Sequence, residues 1–255
     1  MAGGWYCRPE CLRVALTEIL GKERSVSRRN AALPHRVPLG LLLLSRQQLT
    51  AEQLRRALGA QRNAGAGRIG EWLERLGFAT ESQITAALAR QWSCPVLRLR
   101  LEKTLLRYAS AIPLALLEAF QMIPGEISQL TGTLPIAFCE AVDYRALYAI
   151  EQMLGIRTEA CFVAASSLQR ALATIRENRK SADVVLAGGE SADGCACAVA
   201  SYAEKIMAEE LRVVRCGGHV WARLQTQGSD AVNLVLAVSP ARTGFGEAAR
   251  DGVAV

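Results

Sequence analysis

Apolar residues recur every three or four positions over much of the N-terminal part of the chain, the spacing of helices that bury one face. Pro9 stands where a first helical turn tolerates proline, Leu12, Leu16, Ile19 and Leu20 follow at helical spacing, and Gly21 ends the run. This predicts a short helix with a loose basic tail, Lys22 to Arg36, read as a solvated linker. From Pro38 to about Arg100 the spacing stays helical. Thr50 is placed to cap a helix over Ala51 to Gln61, with Leu54, Leu58 and Gln61 on one face, and Thr80 to cap Glu81 to Gln91.

Within that stretch one pattern is written twice, thirty residues apart. Leu39-Gly40 recurs as Ile69-Gly70, Leu43 as Leu73, Thr50 as Thr80, Gln53 as Gln83, Leu54 as Ile84, Leu58 as Leu88 and Gln61 as Gln91. Self-similarity at a fixed period means that each copy is one supersecondary unit, here a short helix, a turn and a longer helix, and that two copies build one pseudo-symmetric surface.

Beyond Pro95 the periodicity changes. Ile112-Pro113 opens a helix over Leu114 to Phe120; Met122 to Pro124, Ile127 to Leu130 and Leu134 to Cys139 read as strands, with Thr131-Gly132 turning between the last two. Asp143 to Leu154 is helical and closed by Gly155, Arg157 to Ala164 reads as a strand, and Ser166 to Glu177 as a helix. Asn178 to Asp193 reads as a linker in which Val184 to Leu186 could form a short strand. A helix over Cys195 to Glu210 follows, then strands near Leu211 to Cys216, His219 to Thr226 and Ala231 to Val238, with Gly217-Gly218 as a hairpin turn. Ala198, Tyr202, Ile206 and Met207 are the face expected to pack on that sheet as a separately folded unit. Trp221 alternates onto the opposite face, either as an exposed partner contact or covered by another part of the chain.

The fold class expected is α+β: a helical tandem-repeat subdomain (38–100) after an N-terminal helix and basic linker (1–37), a small α/β subdomain (101–177), a linker (178–193) and a C-terminal helix plus antiparallel β unit (194–255).

Composition excludes more than it proposes. At 51% hydrophobic and 21% charged the chain is of globular type. Its longest apolar run, Leu39 to Leu44, cannot cross a bilayer, and its start does not read as a signal peptide, so the expectation is a cytoplasmic protein without a transmembrane segment. The net charge of +6 comes from scattered arginines and only four lysines, with no aromatic-flanked basic patch, so no nucleic-acid partner is expected. The eight cysteines suit small buried hydrophobes in a reducing compartment, without disulfides.

Catalytic chemistry is poorly represented. No G-x-x-x-x-G-K-[ST] is present to grip a triphosphate. The two histidines are His35 and His219, the latter read as a strand-end surface residue. Cys7, Cys11 and His35 lack the tight pair spacing and fourth ligand of a zinc site, and Cys195 and Cys197 have no partner base. A non-enzymatic protein without cofactor or metal is expected.

The repeated residues include groups that packing alone does not demand. A glycine early in a helix lowers its stability by about 1 kcal/mol relative to alanine, and glutamine ends an otherwise apolar face. Here Pro38 to Gln91 resembles the double motif of the N-terminal domain of type II secretion and type IV pilus assembly ATPases, the MshE-type cyclic-di-GMP-binding domain. Its pattern is R-L-G, then Gly at the tenth place, Leu at the seventeenth and twenty-first and Gln at the twenty-fourth, twice over. Arg68, Ile69, Gly70, Gly77, Ile84, Leu88 and Gln91 fit the second copy. Leu39, Gly40, Leu54, Leu58 and Gln61 fit the first, where Pro38 replaces the arginine and Gln47 the tenth-place glycine. Ile112 through Leu172 is similar to the α/β half of the same domain; the ATPase core is missing.

The resemblance implies a cyclic dinucleotide lying along these twelve residues, one guanine per copy, and partners in secretion or pilus machinery. Leucines would offer apolar faces to the purines, glycines would let the backbone approach, and Arg68 could fork onto guanine or phosphate. The alternative reading is an interaction adaptor that kept the docking surface while its nucleotide site decayed.

Overall fold

The structure, a computed structural model, describes residues 8–29, 36–98, 108–179, 183–187, 191–227 and 231–238. Helix α1 spans Pro9–Arg29 and so runs through the position expected to end it. A Cβ at Gly21 would meet nothing within 4 Å, and an interior glycine lowers helix stability by only about 1 kcal/mol, too little to stop a helix that buries Leu16 and Leu20. The predicted loose tail is therefore helical up to Arg29, and His35 lies outside the described residues.

The repeats fold as predicted, into α2 (Leu39–Ser45), α3 (Ala51–Ala64), α4 (Ile69–Arg75) and α5 (Glu81–Gln91). Each long helix opens on a capping box. The Thr50 hydroxyl accepts from the Gln53 amide N–H at 3.2 Å, while Gln53 Oε1 accepts from the Thr50 N–H at 2.9 Å. Thr80 and Gln83 repeat this at 3.3 and 2.8 Å, which accounts for two of the recurrent residues by local chemistry alone. Each short helix lies on the long helix of the other copy, α2 on α5 and α4 on α3. Leu39, Leu43, Ala57, Leu73, Ile84 and Ala87 close the shared core between them.

Next come α6 (Leu114–Ala119), β1 (Met122–Pro124), β2 (Leu134–Phe138), α7 (Tyr144–Leu154), β3 (Thr158–Phe162) and α8 (Ala165–Asn178). The strands form one sheet in the order β1-β2-β3, antiparallel then parallel, with Met122 opposite Phe138 and Leu134 opposite Thr158. Ile127 to Leu130 is not a strand. Ser128 donates its N–H to Thr133 O at 2.9 Å and accepts at its own carbonyl from Gly132 N–H at 2.8 Å, so this backbone is satisfied inside a turn and Leu130 is left 98% exposed.

The C-terminal sheet contains β4 (Val184–Ala187), β5 (Glu210–Cys216), β6 (His219–Gln225) and β7 (Val232–Ala237) in the order β4-β7-β6-β5. The short stretch at Val184 is thus a strand, parallel to β7. Helix α9 (Ala192–Lys205), capped by Ser191, covers one face with α1. Its buried side is Cys195, Ala196, Val199, Ala200 and Ala203, one position round from the face expected, and Met207 is 83% exposed. Small residues on this side let the backbones of α9 and α1 come close, a criterion that bulk hydrophobicity does not reveal.

The other face of this sheet joins the α/β core. Val214, Cys216, Trp221 and Val235 belong to the same cluster as Phe138, Ile150 and Phe162. Trp221 is fully buried and donates Nε1–H to Asn233 Oδ1 at 3.1 Å, so it is not a surface anchor. With both faces covered, a fragment holding the C-terminal segment alone would bare this apolar layer. A buried ion pair adds to the connection, Arg179 Nη2 to Asp183 Oδ1 at 2.8 Å, with Asp183 Oδ2 also accepting from Leu114 N–H at 2.7 Å.

Candidate functional site

The two motif copies are strapped across each other. Gln61, ending the first copy, donates its side-chain amide to Gly67 O at 2.9 Å, and Gln91, ending the second, donates to Val37 O at 2.7 Å. Gly67 and Val37 are equivalent, each one residue ahead of its motif. Each half of the surface therefore combines the start of one copy with the end of the other, related by a pseudo-two-fold.

The motif glycines have two kinds of surroundings. A Cβ on Gly40 would lie 2.6 Å from Leu54 Cδ1, and one on Gly70 would lie 3.3 Å from Ile84 Cγ2 and 3.4 Å from Leu39 Cδ2. Close helix packing thus accounts for both. Gly77 has open space around it but a φ of 69°, and Gln47, at the same place in the first copy, has a φ of 56°. The tenth place is a left-handed turn in both copies, and glycine there answers a backbone requirement.

Leu39, Gly40, Gly70 and Ile84 are buried; Leu54, Leu58, Gln61, Ile69, Leu88 and Gln91 are half-buried; Arg68 and Gly77 are exposed. The structure brings Leu39, Gly40, Leu54, Ile69, Gly70, Ile84 and Leu88 to the packed seam, and Gln61 and Gln91 strap across it. Arg68, the N-cap of α4, reaches Glu140 Oε2 at 2.8 Å with its side chain still 60% exposed. Sequence reasoning missed Glu140, which β2 delivers from the α/β half. It also missed Trp92, whose ring carries the Arg36 guanidinium 3.2 Å above its centroid and leans on Tyr144 and Phe162 at 6.4 and 6.3 Å. An aromatic directly after the motif's last glutamine was the available signal.

The repeats are also tied to the α/β half where Glu81 accepts from Ser166 N–H at 2.6 Å and from its hydroxyl at 2.7 Å. A cleft of 360 Å³ beside this contact and one of 220 Å³ between α7 and the β5–β6 hairpin contain none of the motif residues.

Other candidate groups are placed for packing. Burial pushes the thiols of Cys139 and Cys161 up to about 11 and about 12, which keeps them protonated and poor nucleophiles. His219 stands edge-on to Phe120 at 5.9 Å, and burial lowers its pKa. No group of His, Cys, Asp and Glu among the described residues could hold a metal ion, and no helix among them is long and apolar enough to cross a membrane.

No family model matches the chain. Over 135 residues, 53% of this chain, it is 27% identical to the type IV pilus assembly ATPase PilB of Thermus thermophilus, a match that spans 15% of that protein. Among solved structures, that of MshE with cdg is 28% identical and covers 54% of this chain and 98% of its own, at a TM-score of 0.44. About half of this chain is similar to the N-terminal domains of secretion and pilus assembly ATPases. A structure of the N-terminal domain of XpsE is 19% identical over 53% of this chain and 92% of its own, at a TM-score of 0.37.

Proposed function

We propose that the chain is a non-enzymatic regulatory module that binds cyclic-di-GMP across its two motif copies and serves secretion or pilus-type machinery in the cytoplasm. The observation that carries this reading is the cross-strapped surface itself. Its two halves carry the same glutamine-to-backbone strap, as a ligand with two like halves requires, and Arg68 stands at the rim of one of them with most of its side chain in solvent. Its bond to Glu140 is an exposed ion pair, worth up to about 1 kcal/mol, which a phosphate or a guanine edge can replace. Half-buried Leu58 offers an apolar face in the first copy, while Leu88, its counterpart in the second, packs against both the repeat core and the α/β core.

The adaptor reading draws on different facts. Pro38 leaves the first copy without the motif arginine, and both glutamine amides already serve backbone carbonyls. A thermal-shift series separates the two. Cyclic-di-GMP should raise the melting temperature of the wild type and leave Arg68→Ala unmoved; no shift in the wild type at about millimolar ligand favours the adaptor.

A further inference from the structure

We propose that Arg36, laid flat on Trp92, supplies to the first half-site the cation that the second copy takes from Arg68; this rests on the cyclic-di-GMP reading. Pro38 removes charge from the first place of the first copy, but the chain just before it is not remote from the site. The Gln91–Val37 bond of 2.7 Å holds residues 36–38 against the end of α5, and Trp92 is the next residue after Gln91. There the guanidinium carbon sits 3.2 Å from the centre of the indole ring.

Stacking uses the face of a guanidinium and leaves its N–H edge available for a forked bond to phosphate or guanine. The indole is itself held by Tyr144 and Phe162, so the cation rests on a fixed support. No carboxylate among the described residues pairs with Arg36, whereas Arg68 is paired with Glu140. Nor is the stack a packing device common to both copies: the residue equivalent to Arg36 is Ala66, and that equivalent to Trp92 is Arg62. The arrangement occurs only in the copy whose motif arginine is missing.

The test is calorimetric titration of the full chain with cyclic-di-GMP. Arg36→Ala and Arg36→Gln, the second keeping a planar group on the indole without the charge, should each weaken binding about ten-fold, the loss expected for one charge-assisted contact. Arg170→Ala, at an exposed position of α8, should bind as the wild type does, and adding Pro38→Arg to Arg36→Ala should recover most of the affinity. Wild-type affinity in either Arg36 variant, folded by circular dichroism, overturns this assignment and leaves the cyclic-di-GMP reading standing. Absence of binding by the wild type up to about millimolar ligand overturns both.

Discussion

Gln47→Gly should stabilise this protein. Gln47 holds a φ of 56° in the turn between α2 and α3, a region that disfavours any residue with a Cβ by about 1–2 kcal/mol. Glycine loses more backbone freedom on folding, which takes back about 0.5–1 kcal/mol. At the middle of both ranges the net gain is about 0.75 kcal/mol. The turn's hydrogen bonds do not depend on the side chain: Gln47 N–H donates to Leu44 O at 2.9 Å, as Gly77 N–H donates to Glu74 O at 2.9 Å in the copy that already has glycine. Gln47 is exposed, so little packing is lost. For a chain of this size the gain corresponds to a rise of about 1–4 °C in melting temperature by scanning calorimetry, and Gly77→Gln should fall by a similar amount. An unchanged or lower melting temperature for Gln47→Gly would refute the conformational account of the tenth place. A sharp gain in cyclic-di-GMP affinity in the same variant would show instead that this place touches ligand.

Thr50→Ala and Thr80→Ala should each lower stability by about 1 kcal/mol in denaturant titrations, because each removes one capping box; a variant as stable as the wild type would mean that the box contributes nothing. Asp183→Ala should lower it by about 3–5 kcal/mol, since the Arg179 guanidinium would be left buried without its carboxylate; a loss below about 1 kcal/mol, the range of exposed pairs, would contradict the burial of this pair. His219 has a folded-state pKa below its ordinary 6.5, so it favours the folded state above that pH and the contribution is lost as pH falls. Denaturation midpoints should therefore drop more steeply below pH 6.5 in the wild type than in His219→Leu, and parallel pH profiles would show that the imidazole is not responsible.

The parts of this fold that were legible in the sequence are those fixed by neighbours along the chain. Thr50 with Gln53 and Thr80 with Gln83 announce their helices through bonds spanning three residues, and Asp143 and Gly155 bracket α7 in the same way. Ile127 to Leu130 misled because an apolar stretch of strand length says nothing about whether its backbone has a partner strand. The buried side of α9 was displaced because Ala196, Ala200 and Ala203 were chosen by how closely α9 and α1 approach, not by size. Trp221 was put on the correct face, but what covers that face comes from residues far away in sequence, such as Phe138 and Ile150. At the site, motif and helix positions were readable while the partners were not. Glu140 reaches Arg68 from the bend after β2, and Arg36 meets Trp92 through a bond between residues 54 apart.

The central claim is that the cross-strapped repeats form one dinucleotide site. Isothermal titration of the purified chain with cyclic-di-GMP tests it most directly. The account predicts saturable binding of one dinucleotide per chain with a dissociation constant in the micromolar range or weaker, abolished in Arg68→Ala. No heat at about millimolar ligand, or equal binding by Arg68→Ala, would contradict it.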